Sequence, residues 1–106
     1  MAQLRITTSV AAVLTVFLAE PGSPRYGLEL MHATGQPSGT LYPILTRLQQ
    51  AGWVAAEWET ADPSELGRPP RRYYRLTPDG AASARSALAA LRRSLGITGN
   101  PATGLA

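Results

Sequence analysis

The spacing of apolar residues changes at Gly52, and few folds accommodate that change. Before it, Leu41, Ile44, Leu45 and Leu48 recur as i, i+3, i+4, i+7, the signature of one helical face. Val10, Val13, Leu14, Phe17 and Leu18 do the same further upstream. After it, Val54, Ala56 and Trp58 alternate with Ala55, Glu57 and Glu59, a period of two that fits a strand covered on one face. Helices first and a short sheet afterwards predict a mainly α fold with a small β-hairpin. The 106 residues suffice for one core and leave no room for a second.

The punctuation between the periodic segments divides the chain further. Thr7, Thr8 or Ser9 caps the first helix, and Pro21-Gly22 ends it. PGSPR reads as a loop. YGLELMHATG reads as a second helix with Tyr26, Leu30 and Met31 on one face and Leu28 beside them, closed by Gly35. TGQPSG is a tight connection, and a third helix follows over about 38–51. Pro43 is harmless only in a first turn, which places the cap at Ser38 or, better, Thr40. TADPSELGRPP is a turn-rich loop, and RRYYRL alternates again, with Tyr74 and Leu76 on one face. Thr77-Pro78 opens a fourth helix that runs to about Leu95.

Two helices around a tight turn, followed by a hairpin, make a winged helix-turn-helix. In such a motif the second helix lies in the major groove with its N-terminal residues nearest the bases. Ser38, Gly39, Thr40, Tyr42 and Pro43 occupy that place, and Arg47 lies a turn further along on the face away from the leucines. The wing, about 61–72, carries Arg68, Arg71 and Arg72 within GRPPRR, a stretch without an acid. Guanidinium groups there suit DNA phosphates or a narrow minor groove. The formal charge of +3 agrees with an anionic partner, but does not choose one. All ten basic residues are arginine, which codon composition explains better than function does, although it does not explain where they sit. Arg75 is expected to pair with Glu57 or Glu59 across the hairpin.

YGLEL, SGTLYPILTRLQQAGWV and GRPPRRYYRLTPDG together resemble the PadR-like family of bacterial transcription regulators, over roughly Val10 to Leu95. The resemblance implies a winged-helix repressor that dimerises through its C-terminal helix and binds a palindromic operator. It also implies that Ser38, Gly39, Thr40, Tyr42 and Pro43 open the recognition helix while Arg68, Arg71 and Arg72 grip the backbone. The chain departs from the family in having Tyr26-Gly27 where Gly-Tyr often enters the second helix. Its fourth helix also lacks the aromatic residue that drug-binding members use, so a small-molecule inducer is left without a chemical identity.

The fourth helix carries Ala81, Ala84, Leu88, Leu91 and Leu95 at heptad spacing, a candidate homodimer seam of which Ala84, Leu88, Leu91 and Leu95 form the interface. The expected organisation is a DNA-binding domain over 1–76, a dimerisation helix over 77–96 and a flexible tail over 97–106. The absence of cysteine and the single His32 argue against a metal site. No nucleophile–base pair has a recognisable setting, so neither an enzyme nor a cofactor is expected. The run from Val10 to Ala19 imitates a signal peptide but is too short to span a bilayer, and a cytoplasmic protein without membrane contact is expected. The competing reading is a winged-helix module whose basic wing docks an acidic protein.

Overall fold

The computed structural model describes residues 4–96; the tail expected over 97–106 lies outside them. The elements are α1 (Thr8–Ala19), β1 (Arg25–Tyr26), α2 (Gly27–Thr34), α3 (Ser38–Gln50), β2 (Val54–Trp58), α4 (Pro63–Leu66), β3 (Arg72–Leu76) and α5 (Pro78–Ser94). The three strands form one antiparallel sheet in the order β1-β3-β2. The fold is a winged helix-turn-helix with an additional C-terminal helix.

The caps explain the boundaries. The Thr7 hydroxyl accepts from the Val10 N–H, and the Thr77 hydroxyl accepts from the Gly80 N–H, each satisfying an orphan donor of the first turn. Gly35 and Gly52 take positive φ at the ends of α2 and α3, where a side chain would be strained.

One core joins the layers. Val13, Leu14 and Phe17 of α1 meet Leu30 of α2, the Leu41/Ile44/Leu45/Leu48 face of α3, and Val54, Tyr74 and Leu76 of the sheet. Ala81 and Ala84 bring the start of α5 into the same cluster. The packing needs closeness there, because a Cβ on Gly80 would collide with the Trp53 carbonyl. Thr77 completes that junction. Its N–H donates to the Trp53 carbonyl at 3.0 Å and its hydroxyl donates to the Gly52 carbonyl at 2.9 Å.

Several local expectations need correction. Arg25 and Tyr26 are not loop and helix: they form β1, paired as Arg25 with Tyr74 and Tyr26 with Tyr73. Two residues are too few for a periodic signal. Leu28 does not pack beside Leu30 but is 48% exposed. Neither Ser38 nor Thr40 caps α3. Pro37 does so, in extended geometry, its carbonyl accepting from the N–H groups of both Thr40 and Leu41 at 3.0 Å. Pro43 is therefore the sixth helical residue, beyond the first turn. The carbonyl it leaves without an intrahelical donor belongs to Gly39, an exposed residue open to water, so the usual penalty of a buried orphan is avoided. The wing loop holds a one-turn helix, α4, whose start is capped by Asp62 accepting from the Ser64 N–H.

Candidate nucleic-acid interface

Helix α3 turns two unlike faces outward and inward. Leu41, Ile44, Leu45 and Leu48 are buried, whereas Ser38, Gly39, Thr40, Tyr42, Pro43 and Arg47 are all exposed. Its sequence contains no acid. The three-residue turn from Gly35 to Pro37 sets α3 against α2, and the Gln36 side chain anchors that turn by donating to the Ser9 carbonyl at 2.9 Å. Six of the residues selected from sequence thus share the uncovered side of one helix, five of them in its N-terminal half and Arg47 in its last turn.

The three wing arginines divide into different settings. Arg68 is not at a free tip. After α4 the chain turns back at Gly67, and Arg68 forks onto Glu59 at 2.7 and 3.0 Å. The same carboxylate accepts from the Arg71 backbone N–H at 3.1 Å and from the Tyr73 hydroxyl at 2.9 Å. Hydrogen bonding from Arg68 is the chief reason that the Glu59 carboxyl falls from 4.5 to about 2, and it raises Arg68 in turn. Donation to Glu59 likewise raises the Tyr73 phenol. The acid-free reading of the wing therefore missed an acid supplied from the opposite arm, one residue past the end of β2.

Arg71 and Arg72 are held by rings instead. The Arg71 guanidinium lies 4.4 Å from the Tyr26 ring centre, and Tyr26 in turn meets Tyr73 edge-to-face at 5.7 Å. Arg72 lies 5.8 Å from the Trp58 ring and 5.9 Å from that of Tyr74. Burial raises the Tyr74 phenol, with Arg72 opposing. Arg75 pairs with Glu57 at 2.7 Å, one of the two partners expected.

Between α2, α3 and the root of the wing opens a groove of about 380 Å³. Tyr26, Gly27 and Leu28 form one side, Tyr42 another, and Trp58, Arg71, Arg72 and Tyr74 the third. The first side was not selected as functional from sequence. Its signal was the Tyr26-Gly27 pair: a Cβ on Gly27 would collide with the Tyr42 hydroxyl, so glycine there lets the α3 tyrosine lie against the start of α2.

The candidate dimer residues divide along α5. Ala84 is fully buried in the chain's own core, and Leu88 packs partly against it. Leu91 is half-buried and Leu95 is 62% exposed. Among the described residues, no cluster of three His, Cys, Asp or Glu stands where it could hold a metal, and no helix is long and apolar enough to cross a membrane.

A family model, the transcriptional regulator PadR-like family, matches residues 13–86. Among solved structures, a PadR-like transcription factor from Bacteroides fragilis superposes with a TM-score of 0.64 at 24% identity, over 84% of this chain and 87% of that one. A PadR family transcriptional regulator from Eggerthella lenta gives 0.62 at 27% identity, over 84% and 82%. The overoxidized AbfR bound to DNA, a protein of Staphylococcus epidermidis, gives 0.65 at 27% identity, over 84% of this chain and 60% of that one. No curated protein matches. The match spans α1 from Val13, the helix-turn-helix, the wing and half of α5, and the chain belongs to the PadR-like family of DNA-binding transcriptional regulators.

Proposed function

We propose that the chain acts as a dimeric repressor that recognises a palindromic operator, with α3 in the major groove and the wing on the backbone or in the minor groove. The carrying observation is the exposed, acid-free face of α3, adjoined by two arginines, Arg71 and Arg72, outside any ion pair among the described residues. Ser38, Gly39, Thr40, Tyr42, Pro43 and Arg47 meet the operator, hydroxyls and backbone donors near the helix start suiting phosphates and base edges. Arg71 and Arg72 hold phosphates. Arg68 acts chiefly through Glu59, as a strut that shapes the wing, and reaches a phosphate only by exchanging that partner.

Residues 4–76 form the reading head and α5 the dimer arm. Leu91, Leu95 and the uncovered part of Leu88 supply the seam, and Ala84 serves by seating α5 on the head. Two-fold pairing sets the recognition helices about 34–36 Å apart, one turn of DNA.

The deciding experiment is fluorescence anisotropy on a duplex from upstream of the gene and on a scrambled duplex, across salt. Tighter, steeply salt-dependent binding to the upstream duplex is expected. Absence of binding to either at low salt contradicts the proposal and favours an acidic protein partner.

A further inference from the structure

Arg71 is held at both ends. Glu59 grips its backbone twice: the carboxylate accepts from the Arg71 N–H at 3.1 Å, and the Glu59 N–H donates to the Arg71 carbonyl at 2.8 Å. The side-chain tip rests on Tyr26, and sheet register explains why. Tyr26 stands opposite Tyr73, and Arg71 lies two residues before Tyr73 on the same extended run. Residues two apart share a face, and a diagonal neighbour is within reach of an aromatic ring. The guanidinium accordingly lies 4.4 Å from the Tyr26 ring centre. Tyr73 joins the two supports, its ring meeting Tyr26 edge-to-face and its hydroxyl donating to Glu59. The contacts close into a loop around Arg71.

Arg68 shows the alternative. A carboxylate fixes a guanidinium by occupying its donors and offsetting its charge, as Glu59 does there. A ring face fixes it from above and leaves the in-plane N–H groups free. Among the described residues Arg71 lies in no ion pair, so its charge stays whole. An arginine that meets a phosphate gains from such support, because less side-chain freedom is lost on binding. Tyr26 can give it because β1 is itself seated. Neighbouring Arg25 donates to Glu29 of α2 at 3.2 Å and to the Val16 carbonyl of α1 at 3.4 Å.

We infer, on the reading that Arg71 holds a phosphate, that Tyr26 is a positioning residue for DNA binding. Its ring, rather than its hydroxyl, keeps the Arg71 guanidinium aimed and fully charged. The ring stands behind the phosphate contact and takes no part in it. Strand β1, only two residues long, then serves to set one ring beside the wing.

The test has one arm without DNA and one with it. In the free, ¹⁵N-labelled full chain, the Arg71 Nε–H resonance is identified by its loss in Arg71→Lys. It is expected upfield of those of the exposed Arg92 and Arg93, shielded by the ring face. It should stay there in Tyr26→Phe and return to the ordinary position in Tyr26→Leu. In anisotropy, Tyr26→Leu is expected to weaken the upstream and scrambled duplexes alike, by about threefold to tenfold, and Tyr26→Phe by less than about twofold. In an Arg71→Ala background, Tyr26→Leu should cost less than about twofold, because the ring has nothing left to hold. An undisplaced Arg71 resonance, a Phe variant as weak as the Leu variant, or a full Leu effect without Arg71 overturns the inference. If Tyr26→Leu loses the spectral dispersion of a folded chain, the wild-type and Tyr26→Phe resonances and affinities decide. A protein that binds no duplex overturns the proposed function, and the resonance alone then decides whether Tyr26 holds Arg71.

Discussion

Arg68 grips Glu59 through both arms of its fork, Nη1 to Oε1 at 2.7 Å and Nη2 to Oε2 at 3.0 Å. The link spans nine residues and folds the wing loop back onto the sheet. An arginine so placed has a partner before DNA arrives, unlike Arg71 and Arg72.

The salt dependence of DNA binding should separate these arginines. Arg71→Ala and Arg72→Ala are each expected to lower the slope of log affinity against log salt by about one, weakening all duplexes alike. Arg68→Ala should change the slope by clearly less, its charge being neutralised already by Glu59. Equal slope losses from all three would show that Arg68 leaves its partner to bind phosphate.

Acid should loosen the wing at an unusually low pH. Glu59 titrates near 4.5 in an unfolded chain and near 2 here, chiefly through the Arg68 hydrogen bonds. Between those values the unfolded chain binds more protons, so stability rises with pH. The contribution is whole above about 4.5 and is lost as pH falls to about 2. Following the Glu59 side-chain carboxyl by NMR should give a midpoint near 2 in the folded protein, and an ordinary midpoint would contradict the network. Glu59→Gln should remove this part of the acid dependence.

Two glycine substitutions should have opposite characters. Gly80→Ala drives a methyl group into the backbone carbonyl of Trp53, which has nowhere to go. A loss of roughly 3 kcal/mol or more is expected in denaturant unfolding. Gly27→Ala meets only the end of the Tyr42 side chain, which can swing away. Its stability should change by less than about 1 kcal/mol, while its operator preference should resemble that of Tyr42→Ala, both read by anisotropy.

The proposed dimer arm has one part outside the core and one part inside it, and each can be tested. Leu95→Glu should give monomers in sedimentation at micromolar concentration with little change in melting temperature, because Leu95 is 62% exposed in the single chain. Ala84→Leu should instead lower the melting temperature, because Ala84 has no exposed surface to give.

What could be read from the sequence follows from periodicity. Leu41, Ile44, Leu45 and Leu48 repeat often enough to define a face, and all four are buried. Thr77-Pro78 combines a cap with a pre-set φ, and α5 begins there. Strand β1 escaped because two residues carry no period; its partners, Tyr74 for Arg25 and Tyr73 for Tyr26, lie 49 and 47 positions away in the chain. The cap of α3 was misplaced because the Pro43 rule assumes that a lost helical bond must be hidden from water, and here it is not. In the wing, spacing revealed the arginines but not which of them Glu59 would claim. That depends on how Gly67 turns the loop, a long-range outcome of one left-handed residue. The groove was obscure for the same reason, since Tyr26, Tyr42 and Trp58 come from three separate elements.

The junction of Thr77, Gly80 and Trp53 makes α5 a lever with its fulcrum at the foot of α3, the proposed recognition helix. The Gly52 and Trp53 carbonyls that receive Thr77 lie within three residues of the last turn of α3. Seventeen residues at 1.5 Å each give an arm of about 25 Å. A tilt of about 5° at the fulcrum moves the far end by about 2 Å. In the proposed dimer, the same gearing run backwards lets a small change in how two arms cross alter the span between the two reading heads, and a span matched to one turn of DNA tolerates little alteration.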